Sequence, residues 1–141
     1  MKFDTDLVVI GAGSAGLSVA AGAVQMGARV VLIEGGEMGG DCLNTGCVPS
    51  KALIEAARRA KSAASAKKLG VSCHDVTVDY EKVMRHVRET IAAIEPHDSQ
   101  ERFEGLGVRV IRDYAEFASK NSVRVGDEII TARRIVVATG A

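Results

Sequence analysis

No stretch of this sequence is apolar for the roughly 20 residues that a helix needs to cross a bilayer, so no membrane span is expected. Nor is there an excess of charge of either sign. Eighteen Lys and Arg face 18 Asp and Glu, a balance that points neither to nucleic acid nor to an anionic membrane surface. Residues 1–6 hold two aspartates and lead into only four apolar residues before Gly11, which does not read as a secretory leader. Cysteine is scarce and odd in number, three in all, which argues against a secreted disulfide framework. A cytoplasmic setting is expected. The three histidines, His74, His86 and His97, lie outside the cysteine-rich stretch and read as surface or locally bonded side chains. No metal site is expected, because Cys73 and His74 adjoin each other and no second close pair of cysteines completes a zinc ligand set. Cys73 itself reads as a structural thiol. Repeats, low-complexity stretches and linkers are also missing. Against these absences, 47% of the residues are apolar, enough for a packed core in a chain of one typical domain.

What is present begins with a short apolar run, residues 7–10, that ends directly at GAGSAG, residues 11–16. A run of small residues, 17–24, follows. The pattern predicts a buried strand, a tight turn and a helix. Gly27 is placed as a helix C-cap, and residues 29–34 predict a second buried strand ending in Glu34. Each part has a task in dinucleotide binding. Gly11 allows the turn, Gly13 lets the backbone approach a pyrophosphate, and Gly16 permits close packing of helix on strand. The helix N-terminus, where Ser14 and Ala15 fall, faces the phosphates. Glu34, 18 residues beyond Gly16, is placed to accept hydrogen bonds from a ribose. The pattern accommodates NAD or FAD and does not choose between them.

Residues 39–51, GGDCLNTGCVPSK, carry Cys42 and Cys47 five positions apart. In a regular α-helix such residues lie roughly 140° apart, with Cα atoms about 8.7 Å apart. That is beyond the roughly 7 Å limit of a disulfide. The pair can bridge only where the helix is distorted, and Gly46 and Pro49 permit this, Pro49 because it cannot donate to the Thr45 carbonyl. On spacing alone, two small buried hydrophobes are the alternative. Lys51, four residues beyond Cys47 on the same helical face, favours a thiolate, as does a helix N-terminus.

These thirteen residues resemble the redox-active disulfide signature of the pyridine nucleotide-disulfide oxidoreductases, the flavoprotein family of dihydrolipoamide dehydrogenase, glutathione reductase and mercuric reductase. The resemblance implies that the β-α-β unit binds the ADP half of FAD, with Gly40 and Asp41 beside the cofactor. It implies a Cys42–Cys47 disulfide, with Cys47 as the flavin-proximal charge-transfer thiol, Cys42 as the interchange thiol and Lys51 near the flavin ring. The implied activity moves electrons between NAD(P)H, FAD and that disulfide to a thiol, a disulfide or a mercuric ion. The segment IEPHDSQERFEGLGV resembles mercuric reductase-like members. In the family the acid-base histidine belongs to the partner subunit of a homodimer. Two residues depart from the pattern: Asp41 stands where many members have Thr, and Asp113 where Gly is usual. Two other readings stand beside this one, a nucleotide-binding module with structural cysteines and an FAD-dependent oxidase or oxygenase sharing GAGSAG and Glu34.

In residues 52–69, Leu53, Ala56, Ala60 and Ala63 recur at helical intervals, continuing the cysteine helix with a solvated basic face. Residues 79–102 predict a second helix, striped by Val83, Val87, Ile91 and Ile94, which Pro96 kinks or divides. The resemblance makes it antiparallel to the first. After Gly107, short runs at 108–111, 115–118, 122–125 and 128–130 predict a small antiparallel meander, and 135–138 a further buried strand. The resemblance brings Thr139 and Gly140 of the following A-T-G-A segment close to the flavin dinucleotide, and the Ala115 backbone against its adenine. The expected fold class is α/β, a Rossmann-like FAD-binding domain with a parallel sheet, a small antiparallel meander and a helical hairpin, incomplete. Family members continue through a nicotinamide domain, the rest of the FAD domain and a dimerisation domain, so residues 1–141 read as an N-terminal segment that does not turn over alone.

Overall fold

A computed structural model describes residues 3–140; Met1 and Lys2, and Ala141 of the A-T-G-A segment, lie outside the described residues. The β-α-β unit is β1 (Thr5–Ile10), α1 (Ser14–Gln25) and β2 (Val30–Ile33). Val8 and Val9 point to opposite faces of β1 by strand alternation, and both are fully buried. A strand covered on both sides is the signature of a parallel sheet. The remaining strands are β3 (Arg109–Ile111), β4 (Ala115–Ser119), β5 (Ser122–Val125) and β6 (Glu128–Val137). The sheet order is β3-β2-β1-β6-β5-β4. β1 pairs in parallel with β2 through Val8 and Val31 and with β6 through Val8 and Ile135; β2 pairs in parallel with β3.

Most strands fall within two residues of the expected runs, but the two separate strands expected at 128–130 and 135–138 are one. The first part of β6 pairs antiparallel with β5, Val123 opposite Ile130, and the rest pairs in parallel with β1 as far as Ile10 opposite Val137. The joining residues Thr131, Arg133 and Arg134 are polar, so no apolar run marked them. Tertiary partners hold them extended. Thr131 donates from N (2.9 Å) and Oγ1 (2.7 Å) to the Asp4 carboxylate, and Arg133 pairs with Asp6 at 3.3 Å.

On one face, Val9, Val30 and Leu32 pack with Leu17 and Ala20 of α1 and with Phe103. On the other, Val8, Val31 and Ile33 pack with Val123, Val125 and Ile130. The antiparallel extension therefore curls back over the face opposite α1. Arg109 of β3 reaches Glu128 at the start of β6 through two hydrogen bonds, 2.8 and 2.7 Å, which hold the Glu128 carboxyl below its ordinary range.

Four helical segments lie between β2 and β3: α2 (Gly40–Asn44), α3 (Cys47–Ser65), α4 (Tyr80–Asp98) and α5 (Gln100–Gly105). A 3₁₀ turn, Ala66–Leu69, extends α3. Asp79 caps α4 by accepting from Lys82 N at 3.1 Å. Pro96 removes one donor from the last turn of α4, and the division falls just beyond it at Ser99, which donates to the Pro96 carbonyl (3.1 Å) and caps α5 by accepting from Arg102 N (3.2 Å). Ile94 and Asp98, at the end of α4, share a cavity with Cys42 and with Val48 at the start of α3. The two long helices are therefore antiparallel. Each has only one buried residue, Ala52 and Val87 respectively. Among the described residues no helix is long and apolar enough to cross a membrane.

Candidate functional site

The strand order reverses between β1 and β6, and in an open α/β sheet the crevice beyond the strand ends at such a point is where ligands bind. A cleft of about 460 Å³ lies there. Gly13, Ser14 and Ala15 line it after β1, Glu34, Gly36 and Glu37 after β2, and Ala138, Thr139 and Gly140 after β6. Gly40, Asp41, Cys42, Asn44 and Thr45 close it on the α2 side.

The glycine-rich turn is built by close approach. Gly11 has φ +105°, and a Cβ there would lie 2.2 Å from the Ala138 carbonyl oxygen. Its N–H donates to the Ile33 carbonyl at 2.8 Å, while Ala138 N donates to the Ile10 carbonyl at 2.7 Å. The ends of β1, β2 and β6 thus meet at one residue without a side chain. A Cβ on Gly16 would overlap the Gly11 carbonyl, 1.8 Å away, so α1 sits directly on the turn. Gly13 is the N-cap of α1, and no side chain caps that end. The first-turn N–H groups and the positive end of the helix dipole are left to a ligand anion.

Glu34 does more than wait for a ribose. Its Oε2 accepts from Ala12 N at 2.5 Å and its Oε1 from Gly36 N at 2.6 Å. The carboxylate therefore satisfies two donors of the loops that frame the cleft, and each oxygen keeps a second lone pair for a ligand hydroxyl.

The cysteine segment docks on this turn through glycines. Gly39 and Gly40 have φ +83° and +58°. Gly39 N donates to the Ala12 carbonyl at 2.9 Å, and a Cβ on Gly40 would lie 2.8 Å from Gly13 Cα. Asn44 clamps the bend with its amide on the Met38 and Gly40 carbonyls, 3.1 and 2.9 Å. The helix carrying the cysteines is not distorted but broken. The Asp41 carbonyl accepts from both Thr45 N (3.0 Å) and Gly46 N (2.5 Å), α2 ends, and α3 starts at Cys47. A Cβ on Gly46 would lie 2.9 Å from that carbonyl oxygen. Pro49 falls in the first turn of α3, where its missing N–H is no loss, so Gly46 accounts for the break.

Both cysteines are thiols in the structure, Cys42 half-buried and Cys47 exposed. Hydrogen bonding with Cys47 is the first cause pushing the Cys42 thiol up from its ordinary range. Burial, the Cys47 charge and Asp98 add to it, and Lys51 opposes.

Of the residues expected at a cofactor, Gly13, Ser14, Ala15, Glu34, Gly40, Asp41, Thr139 and Gly140 share the one cleft. Gly11 and Gly16 lie behind it as packing residues. Cys47, Lys51 and Ala115 are outside its lining. Asp113 makes its turn without glycine geometry, since Asp75 is the only non-glycine with positive φ among the described residues, and its Oδ1 accepts from Tyr114 N at 2.7 Å. Gly36, Glu37, Asn44, Thr45 and Ala138 were not anticipated; a polar Asn within a short helix, able to bond back to a carbonyl, was the available signal for Asn44. Among the described residues no group of three or more His, Cys, Asp or Glu is arranged to hold a metal ion.

Comparison with known proteins finds the family model described as pyridine nucleotide-disulphide oxidoreductase matching residues 5–141. Dihydrolipoyl dehydrogenase of Bacillus subtilis is 37% identical over 142 residues, covering 98% of this chain and 30% of the relative. The Geobacillus stearothermophilus enzyme of that name is 34% identical with the same coverage. Mercuric reductase of Bacillus cereus is 32% identical over 140 residues, covering 99% of this chain and 22% of the relative. Among solved structures, the flavoprotein disulfide reductase RclA of Escherichia coli, in a Cu(II) complex, superposes with a TM-score of 0.74 at 27% identity, over 96% of this chain and 28% of that one. The chain spans about 30% of the length of the dihydrolipoyl dehydrogenases it matches.

Proposed function

Because the chain belongs to the pyridine nucleotide-disulphide oxidoreductase family, we propose that it is the FAD-binding, redox-disulfide part of a flavoprotein oxidoreductase. The observation that carries this reading is the contact of Gly40 on Gly13, which sets Cys42 on the wall of the dinucleotide cleft. The residues fit the ADP half of FAD: a cradle that a Cβ would fill, an uncapped helix N-terminus and a carboxylate with free lone pairs. The first turn of α1 would hold the pyrophosphate, Glu34 the ribose, and Thr139 and Gly140 the far side of the dinucleotide. When bound, FAD supplies two-electron exchange between a reduced nicotinamide and the dithiol. The chain's own part is to hold Cys42 and Cys47 face to face, so that one attacks a substrate sulfur and the other closes the disulfide. Lys51 sets a positive charge beside the pair. The nicotinamide site, the homodimer and the choice among thiol, disulfide and mercuric substrates belong to the whole protein, which we place in the cytoplasm. The 141-residue chain alone does not turn over in this reading.

Alkylation of the chain, counted by mass, tests the dithiol. One label per chain under oxidising purification and three after reduction are expected; three in both states would leave a plain nucleotide module. In the whole protein, anaerobic addition of two electrons is expected to produce a long-wavelength thiolate-to-flavin band. Bleaching without that band would favour an oxidase or oxygenase instead.

No Lys or Arg lines the cleft among the described residues, whereas Glu34, Glu37 and Asp41 do. A bound diphosphate is then stabilised by backbone N–H groups and the α1 dipole against three carboxylates. Replacing Asp41→Thr removes one repulsion worth about 0.5–1 kcal/mol at a solvated site. Calorimetric titration with ADP is expected to show a Kd lower by about threefold, and an unchanged or higher Kd would contradict this assignment.

A further inference from the structure

The connection between α3 and α4 presents strand-forming residues that no strand takes up. Gly70, at φ +80°, ends the 3₁₀ turn, and Val71 N donates to the Ala66 carbonyl at 3.2 Å. Asp79 then caps α4. Between these fixed ends, residues 72–78 make no backbone hydrogen bond among the described residues. Val76, Thr77 and Val78 are β-branched, the type that favours a paired strand, yet they lie outside the sheet. Leu69, Val71, Val76, Val78 and Tyr80 are each between 43% and 85% exposed. Single apolar residues at a surface need no partner, but five within twelve positions form a patch. Its charges are unequally engaged. Asp79 is held by Lys82 at 3.1 Å and Glu81 by Arg85 at 3.3 Å. Lys67 and Lys68, ahead of the patch, and Asp75, in its second half, have side chains in no ion pair or hydrogen bond among the described residues.

We propose that residues 67–80 are a self-complementary docking surface, at which the chain pairs with a second copy about a two-fold axis. In such a contact the same patch faces itself, so that a residue i meeting j implies j meeting i. Here the basic end of one copy, Lys67 and Lys68, meets Asp75 of the second copy, and the axis repeats that contact. The unpaired backbone groups of residues 72–78 pair with the same segment opposite, as an open strand-forming edge does when another chain is offered. Burial of the five apolar side chains supplies the driving force. An acidic partner or an anionic membrane surface would satisfy the two lysines but leave the Asp75 carboxylate without a cation, which is why a second copy is the better occupant. None of these residues lines the dinucleotide cleft. The proposal therefore stands apart from the dithiol reading.

Sedimentation equilibrium of the chain from about 10 µM to 1 mM is expected to show a reversible equilibrium of monomer and dimer, with no larger species because a two-fold contact closes on itself. Reductant is present throughout, since Cys73 is exposed and lies within the patch. Charge reversal then tests the pairing. Asp75→Lys sets like charges against each other, and so does Lys67→Glu combined with Lys68→Glu. Each is expected to raise the dimer Kd by about tenfold, less at high salt. Mixed in equal amounts, the two variants oppose unlike charges at both contacts, and a heterodimer of near-original affinity is expected. Val78→Ser, which keeps every charge, weakens all of these pairings. Helical circular dichroism shows that each variant is folded before it is read. A monomer over the whole range overturns the proposal. So does a dimer whose Kd neither reversal changes, or a pair of reversed variants that does not associate on mixing.

Discussion

Gly11→Ala is expected to destabilise the chain by at least about 3 kcal/mol, enough to leave little folded protein if its stability is ordinary for its size. Two causes act together. At φ +105° an L side chain is strained wherever there is room for it, and here there is none, because the Cβ would lie 2.2 Å from the Ala138 carbonyl oxygen. Backbone cannot rotate aside as a side chain does. Relief requires the ends of β1 and β6 to part, which gives up the hydrogen bond from Ala138 N to the Ile10 carbonyl. Gly22 in α1 is the control. Nothing lies within 4 Å of a Cβ built there and its φ is not positive, so Gly22→Ala should raise stability by about 0.5–1 kcal/mol through helix propensity. Urea unfolding of both variants reads the result as midpoints that move in opposite directions. An unchanged midpoint for Gly11→Ala would mean that the strand ends are not held together at this turn.

The second large effect is expected from Glu34→Gln, a change that keeps size and removes an acceptor. Both oxygens of Glu34 accept from backbone N–H groups, Ala12 and Gly36. A glutamine has one oxygen and one NH₂, so whichever way the amide turns, one backbone donor faces another donor. Leaving a donor unsatisfied costs about 1–3 kcal/mol, and half-burial puts this site toward the lower end. The same rotation disturbs the loops on both sides of the cleft and removes an acceptor for a ribose hydroxyl. ADP affinity should fall by about tenfold or more, together with a lower unfolding midpoint. Ala at this position leaves both N–H groups to water, so Glu34→Ala should lose affinity with a smaller loss of stability than the glutamine variant. If Gln is as stable as Glu and Ala is the worse of the two, the carboxylate acts by bulk rather than by accepting.

Much of this arrangement was legible along the chain. The β-α-β unit and its glycines could be read because each constraint spans a few residues: an apolar run fully buried as a strand, a turn needing positive φ, a helix start. The resemblance of residues 39–51 to a known signature carried the cysteines to a redox role that spacing alone left open, and the family match over residues 5–141 supports that membership. The continuity of β6 could not be read, because Thr131, Arg133 and Arg134 are polar and owe their extended form to β1, Asp4 and Asp6. The break between the cysteines was anticipated as a distortion, yet its form depends on one carbonyl accepting from two successive N–H groups.

Local composition and spacing were sufficient for most of the elements and for the glycines without which the dinucleotide turn cannot close. Their reach is a few residues, the range over which backbone geometry and helical or strand periodicity act. Packing alone placed Gly40 on Gly13, turned both Glu34 oxygens onto loop N–H groups, and carried Asp98 at the end of α4 to the rim of the Cys42 thiol. Those contacts join residues on different elements, and no periodicity within either element encodes the distance between them.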